Sequence, residues 1–181
     1  MSSNKEQIWD KLINTNNLKD IKEYILLIKS FEKKYKWGKI LLLKAAKKER
    51  YEILKYLIEQ GFDVNYISKN GNSYLPYSNA LHFSAYFNKK STRCLELLLK
   101  NMSQESINKK NGVGFTPLDC AYHNDSPIQN DIVELIRQHG GKANCYDKYG
   151  NKVGEGQGDL NEPFSIKIIM PAVEAGDVST V

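Results

Sequence analysis

Residues 38–65 read GKILLLKAAKKERYEILKYLIEQGFDVN. Leu42, Ala45 and Ala46 set small and apolar groups on one face of a first helix. Ile53, Leu54, Leu57 and Ile58 follow at three- and four-residue spacing, the stripe of a second amphipathic helix. Gly61 stands where that helix should stop, because glycine enters a left-handed C-cap without steric cost. Asp63, Val64 and Asn65 then lead the chain away in extended form. A helix pair this short cannot bury its own apolar face, so it needs neighbours of the same shape.

The unit recurs. Gly71 lies 33 residues after Gly38, and Gly114 and Gly150 follow at looser spacing. Each is read as the glycine of a D-x-x-G-x finger: YKWGK at Tyr35–Lys39, SKNGN at Ser68–Asn72, NGVGF at Asn111–Phe115 and DKYGN at Asp147–Asn151. Thr116-Pro117-Leu118-Asp119-Cys120-Ala121 opens one helix, and Ile132–Ile136 carries the next, closed by His139-Gly140-Gly141. These residues resemble the ankyrin repeat, whose period is about 33 residues and whose signature is T-P-L-H-x-A.

The resemblance covers roughly residues 6–151. It implies an all-α repeat solenoid of about four ankyrin helix-pair units with β-hairpin fingers. The expected ankyrin repeat domain is 1–154, with units near 6–34 (a cap), 35–67, 68–110 and 111–146. Residues 155–181 are expected to form a C-terminal tail, disordered or docking.

The units differ in ways that have physical meaning. In the N-terminal cap, Ile8, Leu12 and Ile13 mark one helix, and Leu18, Ile21, Tyr24, Ile25 and Leu27 a second. Asn14-Thr15-Asn16-Asn17 makes the turn between them, since Asn tolerates left-handed backbone. Finger and signature are absent there, as suits a terminal repeat facing solvent. In the second unit Ile40-Leu41-Leu42-Leu43 replaces T-P-L-H, so apolar packing must hold the turn.

The third unit inserts Ser73–Ser78 before Asn79-Ala80-Leu81-His82, and its loop Tyr74–Tyr77 is a candidate for added contact surface. Its second helix, Cys94–Leu99, lacks a stop glycine, and Met102–Ser106 lengthens the link to Asn108. The fourth has a long inter-helix loop, His123–Gln129. The run Gly154-Glu155-Gly156-Gln157-Gly158 ends the pattern, because glycine loses entropy in any regular element. In the tail, Ile166–Met170 reads as a strand or docking segment, and Ser179-Thr180-Val181 is weighed as a PDZ-type ligand against the favoured reading of a frayed terminus.

Bulk composition narrows the class. A chain of 181 residues with 41% hydrophobic and 26% charged residues fits one soluble domain with a tail. Apolar runs such as Ile40–Leu43 are far too short to cross a bilayer, and MSSNKEQIWDKL carries no signal-peptide apolar core. The 3 cysteines lack zinc-ribbon spacing, which suits a reduced compartment. The expected location is the cytoplasm, or a host cytosol for a secreted effector. Net charge is +5 and uneven: residues 1–60 hold 14 Lys/Arg against 8 Asp/Glu, and residues 143–181 hold 3 against 6. A basic N-terminal half and an acidic tail attract one another or serve separate partners, although solvated helix faces explain the charge as well.

Catalysis finds little support, and the expectation is a protein that is not an enzyme and carries no cofactor or metal. Cys120 with His123, or His139 with Cys145, has the chemistry of a metal site or thiol–imidazole pair. Against that, His139 beside the stop glycines suits a helix C-terminus, and His82 stands at the signature histidine, whose family role is structural hydrogen bonding. No P-loop, dinucleotide fingerprint or HExxH occurs.

Binding is the better reading. In the family, contacts concentrate at the fingers and at the pair of residues after the Ala-Ala of each first helix. Carried over by position, this implies partner contacts at Lys36, Trp37, Lys39, Lys47, Lys48, Lys69, Asn70, Tyr86, Phe87, Val113, Phe115, His123 and Tyr149. Trp37, Tyr86, Phe87, Phe115 and Tyr149 are expected to be at least partly exposed, as anchors flanked by lysines that steer an acidic partner. The expected function is a monomeric, non-enzymatic adaptor or inhibitor that binds a protein on its concave face. The alternatives are anion or nucleic-acid binding through the basic half, recognised by steep salt dependence, and a host-directed effector of an intracellular microbe.

Overall fold

The computed structural model describes residues 3–27, 31–69 and 75–145, without the side chains of residues 3–6 and 31–37. The described elements are α1 (Ser3–Asn14), α2 (Leu18–Leu27), α3 (Phe31–Lys47), α4 (Tyr51–Glu59), α5 (Ala80–Phe87), α6 (Arg93–Asn101), α7 (Gln104–Ile107), α8 (Pro117–Tyr122) and α9 (Gln129–Gln138). Asn70, Gly71, the last finger at Asp147–Asn151 with Tyr149, and the tail lie outside the described residues.

Helices α5 and α8 start where a side chain satisfies their first free amides. The Thr116 hydroxyl accepts from Asp119 N at 3.3 Å, and the Asp119 carboxylate accepts from Thr116 N at 2.8 Å, so α8 begins at Pro117. Asn79 and His82 cap α5 the same way: Asn79 Oδ1 accepts from His82 N and His82 Nδ1 accepts from Asn79 N, both at 3.2 Å.

Helices α4 and α9 stop where the backbone turns left-handed. Gly61 (φ 78°) donates to Ile58 O at 2.9 Å while Phe62 N reaches Leu57 O at 3.2 Å, the paired bonds of a Schellman stop. Gly140 (φ 77°) and Gly141 repeat this pattern on Arg137 O and Ile136 O, both at 2.9 Å. Asn16 takes the left-handed position in the first turn, with φ 52°.

The helices pair and stack in two layers. Helices α1, α3, α5 and α8 lie side by side, and α2, α4, α6 and α9 lie in the same order behind them. Ala45, Ala46, Ala80, Ala85 and Ala121 are fully buried, so small residues let the first helices approach closely. Leu42, Ile53, Leu54 and Leu57 are buried as the stripes require. Polar side chains tie each unit to the next. His82 Nε2 donates to Phe115 O at 3.0 Å, and Asp119 accepts from Asn144 N (3.0 Å) and Cys145 N (2.9 Å). At the opposite end of the helices, Arg50 Nε donates to Ile13 O at 3.1 Å, Glu49 accepts from Lys89 N at 2.6 Å, and Asn124 Nδ2 donates to Ala85 O at 2.8 Å.

One expectation is corrected. Tyr35–Lys39 is not a finger, because α3 starts at Phe31 and runs unbroken through Gly38 to Lys47. Ile40-Leu41-Leu42-Leu43 has neither a capping hydroxyl nor a proline, so nothing starts a new helix there and the older one continues. Gly38 instead lets the helix approach the Phe62 ring, which an added Cβ would overlap. No strand occurs among the described residues, and the fingers read at Ser68–Asn72 and Asp147–Asn151 lie partly or wholly outside them. Around Asn111–Phe115 there is a turn closed by Asn111 N to Phe115 O at 2.8 Å, with Gly114 at φ 85°. Gly112 N donates to Pro76 O at 2.8 Å, joining that turn to the preceding loop.

Gly38→Ala tests the corrected role. Helix propensity alone favours Ala over Gly by about 1 kcal/mol, yet the Phe62 ring makes the site overpacked, a penalty of about 1–3 kcal/mol. Urea unfolding should show Gly38→Ala to be destabilising, and stabilising when Phe62 is first changed to Ala. A stabilising effect in the unmodified protein would mean that α3 does not press on Phe62.

Candidate protein-binding site

Helix α3 ends in a cluster of cations. Lys44, Lys47 and Lys48 occupy its last turn and the residue beyond, where positive charge suits the helix dipole. Lys44 Nζ lies 2.5 Å from Asp10 Oδ1. Lys47 reaches the other way, across to α5, and places Nζ 4.5 Å from the centre of the Phe87 ring. Burial, with Lys48 and Lys44 beside it, holds the Lys47 ammonium below the ordinary lysine range, and Asp10 offsets this only in part.

The row continues through α5. Phe87 packs edge-on against Tyr86, with ring centres 4.7 Å apart, and lies 6.4 Å from Phe83. Both Tyr86 and Phe87 are half-buried. Burial raises the Tyr86 phenol above its ordinary range, and the Asp125 carboxylate adds to that. Asp125 is fully exposed and held by Lys89 Nζ at 2.5 Å, which lowers its own pKa. Cation, aromatic pair and ion pair thus follow one another across three successive units.

The remaining expected contacts divide. Lys48 and Lys69 are exposed, and Val113 is half-buried with its N–H on Asn111 Oδ1 at 3.1 Å. Lys39 is a helix residue whose Nζ lies 5.2 Å from the Tyr66 ring centre, not a finger tip. His123 is half-buried at 5.3 Å from the Phe115 ring. Phe115 is corrected: it is 1% exposed and belongs to the core, because the turn at Gly114 points the ring inward while its carbonyl serves His82. Lys36 and Trp37 lie in α3, but their side chains, like Asn70 and Tyr149, lie outside the described residues.

One surface residue escaped the sequence reading of the site, and a second was reached only through its loop. Asp125 gave no signal, since its place beside Tyr86 depends on how α5 and α8 stack. Tyr77, within the inserted loop singled out above, combines a ring that is 53% exposed with a left-handed backbone, φ 52°. Such strain in a bulky residue is uncommon and clusters at functional sites.

The titratable candidates for chemistry are interior groups. Burial lowers His82 to about 4, against the raising effect of its bond to the Phe115 carbonyl. Burial likewise raises Cys94 to about 12 and Cys120 well above the ordinary thiol range. Cys145 is buried too. Among the described residues no group of His, Cys, Asp and Glu is arranged to hold a metal ion, and no helix is long and apolar enough to cross a membrane.

A family model described as "Ankyrin repeats (many copies)" matches residues 42–99, from the middle of α3 through α6. Residues 42–99 are thus similar to ankyrin repeats. No curated protein matches the chain. The matched segment holds Lys47, Lys48, Tyr86 and Phe87, so this row lies within the part of the chain that is similar to ankyrin repeats. Ankyrin repeats generally mediate protein–protein interaction and are typically non-enzymatic.

Two predictions follow from the buried groups. His82 binds its proton less readily folded than unfolded, so its contribution to stability is complete above pH 6.5 and falls as pH drops towards 4. The loss from this group is about 3 kcal/mol over that window. His82→Gln should therefore show a shallower decline in unfolding free energy between pH 7 and 4.5; an identical slope would mean His82 does not titrate as described. The buried thiols Cys94 and Cys120 should react with a disulfide reagent at neutral pH only after denaturant is added.

Proposed function

We propose that this chain is a non-enzymatic adaptor or inhibitor that holds a protein partner on the open side of its first helices and finger loops. The helix pairs α1–α2, α3–α4, α5–α6 and α8–α9 act as four units of one ankyrin domain spanning residues 1–154. The observation that carries the reading is the half-buried pair Tyr86 and Phe87, set on a rigid helix and flanked by Lys47. Interfaces draw most of their energy from a few such aromatic anchors. Because the helices are already packed and capped, association orders little of the chain, and less binding energy is spent on ordering.

The test begins with a partner captured by the intact protein and identified. Binding of that partner should weaken at least about tenfold in a Tyr86→Ala, Phe87→Ala protein, with the helical circular-dichroism spectrum retained. Oxidative footprinting of the complex should protect Tyr86 and leave Tyr51 and Tyr56 on α4 reactive. Unchanged affinity in the folded double variant, or protection confined to α4, would place the interface elsewhere.

A further inference from the structure

We propose that the partner segment bound here is acidic and carries an aromatic or bulky apolar side chain, its carboxylates meeting Lys47 and Lys48 while its apolar group lies on Tyr86 and Phe87. This rests on the inner-face reading above and adds the chemistry of the occupant.

The argument begins with a charge imbalance. Lys44, Lys47 and Lys48 crowd one helix end, and among the described residues the only carboxylate in an ion pair with them is Asp10, on Lys44. Lys47 has the Phe87 ring for company and makes no ion pair with a carboxylate among the described residues, Asp10 offsetting its surroundings only in part. The helix dipole accounts for cations at this end, but it falls off within the last turn and is satisfied equally by fully solvated ammonium groups. It does not account for a lysine drawn down onto an aromatic ring, where burial and two neighbouring cations both disfavour its charge. An incoming carboxylate would relieve that crowding.

The other side of the row limits what can sit there. Asp125 is already paired with Lys89, and it lies beside Tyr86. A segment crossing from α3 to α8 therefore meets uncompensated positive charge first, an aromatic surface next, and a neutralised ion pair last. Negative charge at one end and an apolar side chain behind it is the complementary pattern. A wholly polyanionic strand matches the lysines and leaves the aromatic pair without a use, so the mixed segment is favoured over a nucleic-acid backbone.

The experiment uses the full chain, immobilised and selected against a displayed library of random dodecapeptides. The enriched pool should hold Asp and Glu at about twice their library frequency or more, with an aromatic residue adjoining. The same peptides should bind at least tenfold more weakly to Lys47→Glu and to Lys48→Glu, the latter at an exposed position, with the helical circular-dichroism spectrum retained in both. Binding to single-stranded DNA, measured alongside, should not compete with them. A pool without acidic excess overturns the inference, as does one with no enrichment at all, or acidic peptides indifferent to both lysine changes. If neutral or basic peptides are enriched and are lost in Tyr86→Ala, Phe87→Ala, the inner-face reading survives and only the acidic assignment falls. If acidic peptides are enriched but ignore that aromatic double variant, the inner-face reading falls instead.

Discussion

In the third and fourth units one side chain carries the register of the stack. His82 and Asp119 occupy the same position in successive first helices, four residues into the signature. Each closes its own helix start and then reaches on to the backbone of the next loop. His82 donates to the Phe115 carbonyl, whereas Asp119 accepts from the amides of Asn144 and Cys145. The polarity is reversed but the task is the same. Both groups are fully buried, where an unmet polar atom would cost about 1–3 kcal/mol. A displaced neighbour would leave those atoms unmet, so the bonds penalise any slip between units. The apolar contacts between helices, being non-directional, tolerate such slips far better.

The second unit shows what happens without such a residue. Leu43 stands where His82 and Asp119 stand in their units. No side chain caps the start, so α3 runs back to Phe31 and absorbs the segment that would have made a finger. This long helix then has to be fixed by other means. Arg50 reaches back to the carbonyl of Ile13, and Glu49 reaches forward to the amides of Lys89 and Lys90. Glu49 does so from a left-handed backbone, φ 55°, where glycine would be the relaxed choice. Strain at this turn is accepted in exchange for a tie to the next one.

These constraints bear on function through rigidity. The Lys47–Phe87–Tyr86 row is assembled from two helices whose spacing is fixed by small buried residues and by the turn contacts of Glu49 and Asn124. A surface built that way presents anchors without first having to gather them. The same packing removes residues from contention: Phe115 is spent on the core, and Asn124 on the Ala85 and Asn88 carbonyls.

Repetition, helix stripes and helix stops were legible in the chain itself, because spacing of apolar residues and the steric freedom of glycine act locally. Gly61, Gly140, Asn16, Thr116 and Asn79 all do in three dimensions what their local chemistry requires. The failures differ in kind. At Gly38 the finger itself was misread, because no capping residue starts a new helix after it, and the glycine packs on the Phe62 ring. Phe115 sits in the turn read for it, but its ring is taken by the core. Which aromatic faces solvent, which lysine lies on which ring, and where Asp125 comes to rest depend on how neighbouring units are offset. That offset is fixed by contacts between units, and no single unit carries it.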